Sequence, residues 1–221
     1  MTSLAIVHTG VRSTVRLQEL DLTPEVLQEA VKFGVQHIAE CTNHDPPSTL
    51  GMIGWGKMTR AIRDALVPAG WKVDNARNYA TTIHPGGRLA IAVSAGDSGT
   101  GDQERTPTTR TDKGPATRDA VLMNIRQGSF ADIAPDFNGP DFVAVKQTWL
   151  LLHYVDDEAG ETRMELSLPD GMDADGYVVT WRERIVLAPQ AFGVPSFLAK
   201  SRSAGTPGSA PIDVPVARRS Q

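Results

Sequence analysis

The segment Tyr79 to Val93, which reads YATTIHPGGRLAIAV, carries the clearest structural signal in the chain. On both sides of its central Pro-Gly-Gly sequence, every second residue is aliphatic, aromatic or β-branched. A period of two is typical of a strand with one buried face, and a Gly-rich turn joins two such strands into an antiparallel hairpin. The segment therefore predicts a β-hairpin, and with it a sheet on which the rest of the chain can pack.

Helical patterns lie on both sides of this hairpin. Apolar residues three and four positions apart predict one helix from Pro24 to Cys41, with Thr23 as its N-cap, and a second from Met52 to Val67. A third helix is predicted from Ala116 to Gln127. Two helices thus precede the hairpin and one follows it.

Further strands are predicted in the last third of the chain. Phe142 to Val155 has the pattern of a strand, Met164 to Leu168 alternates as its return strand, and Tyr177 to Leu187 is one more. We therefore expect an α+β fold, with an antiparallel sheet of about five strands and two or three helices packed on one face. The order of the elements argues against a parallel βαβ layout.

The length of 221 residues fits one domain with an appended end. We expect a single globular domain over residues 1–197 and a flexible or surface-draped tail over residues 198–221, which is rich in Ser, Gly, Ala and Pro. Within this tail, Ile212 to Val216 alternates like a short strand that could add to an open sheet edge.

The composition predicts a soluble, cytoplasmic protein. No stretch approaches the ~18 to 20 apolar residues that cross a bilayer, so no membrane association is expected. The first residues lack the basic start of a signal peptide. Cys41 is the only cysteine, which excludes an intrachain disulfide and fits a reducing compartment. The oligomeric state does not follow from the sequence.

Charge is segregated along the chain, although the net charge is only −4. Residues 57–88 contain six Lys and Arg against two Asp, whereas residues 132–175 contain eleven acids against Lys146 and Arg163. Two explanations stay open: a basic binding face, or two segments that neutralise each other in the folded protein.

The strongest functional signal is the long polar segment from Ala95 to Pro115, which is rich in Gly, Thr, Asp and Arg. A loop of this length inside a domain is usually functional or disordered. Hydroxyl groups, glycine and cations suit phosphates or an acidic partner, although a merely solvated loop would share this composition. The predicted binding residues combine the cations of this segment with those of the second helix and the hairpin: Lys57, Arg60, Arg63, Arg88, Arg105, Arg110, Lys113 and Arg118.

Two short motifs suggest an enzyme but are incomplete. Gly51 to Lys57 matches the GxxxxGK pattern of a phosphate-binding loop, but Met58 stands where a Ser or Thr should hold magnesium, and an amphipathic helix explains the segment equally well. Gly96 to Gly99 is similar to the segment around the nucleophilic serine of trypsin-like proteases. The order and spacing of a protease triad are missing, because the nearest candidate base, His84, lies in the same hairpin.

A zinc site is the third incomplete motif. His37, Cys41 and His44 have a spacing that could place three ligands together near the end of the first helix. A structural zinc site needs four ligands, and Cys41 lies beside the apolar stripe of that helix. We therefore predict neither a metal nor another cofactor.

Taken together, these patterns predict a non-enzymatic accessory or binding protein that contacts nucleic-acid phosphates or an acidic protein through a basic helix and a polar loop. The first alternative is an enzyme acting on a nucleotide or phosphoester, with the glycine-rich segment Gly51 to Lys57 or with His84 oriented by Asp97. The second alternative is a structural subunit of a larger assembly, which the open strand pattern of the tail would serve.

Overall fold

A mixed β-sheet with helices on both faces forms the centre of the protein. The computed structural model describes residues 5–133 and 146–191. Within them, the strands are β1 (Ile6–His8), β2 (Lys72–Asp74), β3 (Thr81–Ile83), β4 (Leu89–Ala95), β5 (Gln147–Asp156), β6 (Glu161–Met172), β7 (Val178–Val186) and β8 (Gln190–Ala191). The helices are α1 (Val11–Glu19), α2 (Pro24–Ile38), α3 (Thr49–Leu66) and α4 (Pro115–Ile133), with short 3-10 helices at Val67–Ala69 and Ala76–Asn78.

The strand order is β1-β7-β6-β5-β4-β3-β2, and β8 pairs with β6. Strands β1 and β7 are parallel, as are β4 and β5, whereas the other pairs are antiparallel. The α+β class is therefore confirmed, but the antiparallel sheet of about five strands is only roughly matched. The expectation that the order of elements excludes a parallel βαβ layout is wrong for one unit, because α4 connects β4 to β5 and the two strands pair in parallel. The pairing of β1 with β7 adds a second parallel pair, and the sheet is therefore mixed.

The first face of the sheet is covered by α1, α2 and α3. Their buried residues, which include Leu17, Leu27 and Met58, pack against Trp149 and Leu166 of the central strands. Helices α2 and α3 touch closely, because two glycines face each other's helix: a Cβ on Gly34 would lie 3.0 Å from the carbonyl oxygen of Gly54. The predicted helices are thus confirmed on this face, with α2 ending three residues earlier than expected and α3 starting three residues earlier.

The second face is covered by α4 and by the outer half of the β6–β7 hairpin. Register shifts between Leu168 and Met172 interrupt the pairing of β6 with β7, and such bulges bend a strand pair. Val178 and Trp181 beyond the bulges share a buried cluster with the strand residues Leu150 and Leu152. The prediction of helices on one face is therefore wrong for α4, which packs opposite the other three.

The hairpin of the opening segment is confirmed as β3 and β4. No helix in residues 5–133 and 146–191 is long and apolar enough to cross a membrane. The tail over residues 198–221, its Ile212 to Val216 segment and the first four residues of the strand predicted from Phe142 lie outside the described residues.

Candidate functional site

A buried ion pair organises the second face of the sheet. Glu165 of β6 and Arg184 of β7 are 0% and 3% exposed. The guanidinium donates two hydrogen bonds to the carboxylate, from Nε to Oε1 at 3.0 Å and from Nη2 to Oε2 at 2.6 Å. The Ser167 hydroxyl donates a third bond to Oε1 at 2.6 Å. Removing two charges from water costs several kcal/mol per ion, so such a pair persists only when its other polar atoms are bonded as well.

Those remaining bonds tie down residues 96–114, which we call the 96–114 loop. Arg184 donates to the carbonyl oxygens of Arg105 at 2.8 Å and of Asp102 at 2.9 Å. The Gly101 amide donates to Glu165 Oε2 at 2.9 Å. The ion pair is therefore shared between the sheet and the loop, and its charges hold the loop backbone in place.

The rest of the 96–114 loop is bonded to the bent hairpin. Trp181 Nε1 donates to the carbonyl oxygen of Pro107 at 2.8 Å. The amide of Thr109 donates to the carbonyl oxygen of Val178, and the Val178 amide donates to the Thr109 hydroxyl, both at 3.1 Å. The Lys113 amide donates to the carbonyl oxygen of Gly176 at 2.8 Å. The loop is thus an ordered part of the fold, and a merely solvated loop is the wrong description of it.

Three predicted cations gather where this loop meets the hairpin tip. Arg110 directly follows Thr109, whose amide is bonded to the hairpin. The Lys113 amide is bonded to the Gly176 carbonyl oxygen at the hairpin tip, and a Cβ added to Gly176 would lie 2.7 Å from Arg118 Nη2. Arg110 and Arg118 are exposed and Lys113 is half-buried. Within residues 5–133 and 146–191, no carboxylate oxygen lies within 4.0 Å of these three cations. The fold thus brings these three members of the predicted set to the place where the loop, the hairpin tip and the start of α4 meet.

The local field at this place is positive. Burial, and to a smaller extent the charges of Arg110 and Lys113, lower the pKa of His153, in β5, to about 4. Burial also lowers the pKa of Lys113, although Asp112 opposes the shift. Sequence reasoning missed His153, because it lies in the apolar run of a strand and carries no motif.

The other predicted cations lie elsewhere. Arg60 on α3 pairs with Asp64 at 3.2 Å, and the guanidinium of Arg63 donates to the carbonyl oxygens of Asp74 and Thr81 at 3.2 Å each. Because α3 packs on the first face of the sheet, these residues are separated from the 96–114 loop.

The last three predicted cations lie on α3, in the β3–β4 turn and in the 96–114 loop. Lys57 also lies on α3 and therefore on the first face. Arg88 lies in the β3–β4 turn, at the other end of β4 from the loop. Arg105 belongs to the loop, but its guanidinium donates to the carbonyl and hydroxyl oxygens of Ser98 at 3.3 and 3.0 Å. Lys57 and Arg88 therefore lie away from Arg110, Lys113 and Arg118, and the Arg105 guanidinium is bonded to Ser98 within the loop.

The candidate catalytic motifs take structural roles. Gly51 to Lys57 lies inside α3, so its backbone amides are helical and form no phosphate-binding loop. The Asp97 carboxylate accepts bonds from the Gly99 amide and the Thr108 hydroxyl, both at 3.0 Å. His84 bonds to Asp21 instead of Asp97, and the length of β4 puts about 20 Å between the two ends of that strand. The interpretation of His84 and Asp97 as a base and its orienting carboxylate is therefore wrong.

Two of the candidate zinc ligands, His37 and Cys41, also have local structural roles. His37 Nδ1 lies 2.8 Å from the carbonyl oxygen of Phe33, one turn earlier on α2. Cys41 is buried, and burial raises the pKa of its thiol, which keeps it protonated. In the part of the chain that the structure describes, no three His, Cys, Asp or Glu side chains are grouped as metal ligands.

Comparisons with known proteins add no family to these observations. The chain matches no protein-family model, no curated protein and no solved structure.

Proposed function

We propose that this is a non-enzymatic binding protein that contacts the acidic groups of a partner through Arg110, Lys113 and Arg118. The observation that supports the proposal is the lack of carboxylate partners for these cations in the described residues. Arg110 and Lys113 lie on the 96–114 loop, which a buried ion pair holds in place, and Arg118 lies at the start of α4. The acidic groups are nucleic-acid phosphates or the carboxylates of an acidic protein.

The anchoring of the loop supports binding in energetic terms. A flexible loop loses conformational freedom when it binds, at about 0.5 to 1.5 kcal/mol for each side chain that becomes ordered. The bonds from Glu165 and Arg184 order the backbone of the 96–114 loop before any partner arrives. Arginine also presents a planar set of donors that matches phosphate and carboxylate oxygens.

A titration by fluorescence anisotropy tests the proposal. Labelled duplex DNA, single-stranded RNA and a poly-glutamate peptide are the probes, each at about 50 and about 200 mM salt, because electrostatic contacts weaken over that range. We expect at least one probe to bind. The double variant Arg110→Gln/Arg118→Gln should lower the affinity for that probe by about tenfold, since exposed ionic contacts contribute about 0.2 to 1 kcal/mol each and about 1.4 kcal/mol is a factor of ten.

The matched control is Arg12→Gln/Lys72→Gln, which removes the same amount of charge from exposed positions on α1 and β2. It should bind like the wild type. Equal losses in the two double variants would mean that net charge alone drives binding, and the proposed site would be wrong. Absence of binding to all three probes would contradict the function itself.

A further inference from the structure

Helix α3 carries exposed apolar residues in line with its buried ones. Trp55 lies four and seven positions before Thr59 and Ile62, which are buried, yet Trp55 is 42% exposed. Residues at this spacing share one side of a helix, so Trp55 is on the side of α3 that faces the sheet. Met52, one turn before Trp55, is 68% exposed. The described residues therefore leave this side of α3 uncovered over its first turns.

The length of α3 explains the gap. Its 18 residues make a helix of about 27 Å. Of the two strands beneath it, β3 and β4, the longer is β4, which spans about 20 Å. The end of α3 lies near the β3–β4 turn, because the Trp71 amide donates to the carbonyl oxygen of Leu66 and the Trp71 ring contacts the His84 ring. The first turns of α3 therefore extend past the opposite end of these strands.

The described chain stops at the same end of the sheet. Its last strand, β8, pairs with Glu161 and Thr162 at the start of β6, which pairs on its other side with the end of β5. Because β4 and β5 are parallel, the end of β5 and the β3–β4 turn lie at opposite ends of the sheet. Strand β8 is therefore near the level of the first turns of α3, three strand positions from β4, or about 14 Å at the usual strand spacing.

An apolar segment follows β8 directly. Residues 192–198 contain Phe192, Val194, Phe197 and Leu198, and seven extended residues span up to about 24 Å. This segment is long enough to reach α3 from β8. The residues after it, 199–211, are mainly Ser, Ala, Gly, Pro and basic residues. The large apolar side chains thus come at the point where the chain is within reach of α3.

From these relations we infer that residues 192–198 fold back over the first turns of α3, with Phe197 and Leu198 against Met52 and Trp55. Aromatic rings pack well on one another at an angle or with an offset, and methionine adapts its shape to aromatic neighbours. The contact removes apolar surface of both segments from water. It is independent of the proposed function, because none of the loop cations takes part in it.

Solvent relaxation in NMR spectra of the full ¹⁵N-labelled chain tests this contact, with a soluble gadolinium chelate as the probe. The indole N–H signal of Trp55, identified with Trp55→Phe, should relax as slowly as the indole signals of the three buried tryptophans, Trp71, Trp149 and Trp181. Phe197→Ser/Leu198→Ser should shift the Trp55 signal and make it relax faster than the buried indoles, because the ring returns to solvent. The same spectra report whether each variant is folded.

The matched control is Ile212→Ser/Val214→Ser, which makes the same kind of change farther along the chain and should leave the Trp55 signal unchanged. Equal relaxation of Trp55 in the wild type and in Phe197→Ser/Leu198→Ser would overturn the inference. Slow relaxation that is lost on dilution would mean that a second copy of the chain covers α3, and would overturn it as well.

Discussion

Glu165 and Arg184 show how two charged residues can lie in the middle of a sheet. Every oxygen of the carboxylate and three nitrogens of the guanidinium are bonded, so neither charge is left unsatisfied. Replacing such a pair by apolar residues is often neutral for stability, whereas removing one partner is not. We therefore interpret the pair as a device that specifies the position of the 96–114 loop.

Glu165→Gln should lower the free energy of unfolding by about 3 kcal/mol, because it leaves the buried guanidinium of Arg184 without a counter-charge. Urea denaturation measures this change. Glu104→Gln, at an exposed position of the same loop, is the control and should stay within about 0.5 kcal/mol of the wild type. Similar losses in both variants would show that the pair does not hold the loop.

The buried His153 predicts a pH dependence of stability. Its pKa is about 4 in the folded protein, against about 6.5 in an unfolded chain. Between these values the unfolded chain binds a proton that the folded protein does not, so the free energy of unfolding falls as the pH is lowered from about 6.5 to about 4. The loss attributable to this residue is at most about 3 kcal/mol.

His153→Phe keeps an aromatic ring of similar size and removes the titration. Urea unfolding at several pH values should therefore give a flatter profile for this variant than for the wild type over the same window. Parallel profiles would contradict the assignment of His153 as a buried neutral histidine.

The contact between α2 and α3 depends on glycine. A Cβ on Gly34 would lie 2.3 Å from Met58 Cγ and 3.0 Å from the Gly54 carbonyl oxygen, so the helices would have to separate. Gly34→Ala should lower the free energy of unfolding by about 1 to 3 kcal/mol. Gly56, also in α3, has no atom near its Cβ position, and Gly56→Ala should raise that free energy by about 0.5 to 1 kcal/mol.

Thermal and urea unfolding of the two variants provide the measurement. The opposite signs are the informative result, since both substitutions gain the same helix propensity and differ only in the space around the new methyl group. A stabilised Gly34→Ala would mean that α2 and α3 are not in close contact.

Helices and strands with a strong periodicity of apolar residues were predictable from the sequence, whereas short strands and the sparsely buried helix α1 were not. The hairpin, α2 and α3 have long apolar patterns, whereas β1, β2 and β8 contain two or three residues each and carry no measurable period. Helix α1 was missed because only Ser13 and Leu17 are buried along its length. The parallel pairing of β4 with β5 was missed because it is decided by the packing of α4 and not by local sequence.

The candidate site was predictable only in part, for a similar reason. The loop and its cations were visible as a long polar segment, but Glu165 occupies an alternating position of a strand and has the pattern of a solvent-facing residue. It is buried because the loop and the bent hairpin cover the second face, which depends on contacts between residues far apart in sequence. The same long-range packing separates the α3 cations from the loop.

At the scale of the whole molecule, the described residues of the two charged segments do not neutralise each other in the way that the charge totals of the segments suggest. The acidic strands pair with arginines of their own region, Arg163, Arg182 and Arg184. The basic segment uses Asp64 and Asp119. Within residues 5–133 and 146–191, Arg110 and Lys113 of the 96–114 loop and Arg118 of α4 belong to neither arrangement, which is why we place the binding surface there.

The salt dependence of binding to the polyanion found in the titration tests this surface most directly. If the probe is duplex DNA, three cations should give a slope of about −3 in a plot of log affinity against log salt concentration. The Arg110→Gln/Arg118→Gln variant, which retains Lys113, should reduce the slope to about −1, while Arg12→Gln/Lys72→Gln keeps the wild-type value. If the probe is poly-glutamate, the slope should likewise be less steep for the Arg110→Gln/Arg118→Gln variant than for the wild type. Identical slopes in all three proteins would contradict contact through the 96–114 loop.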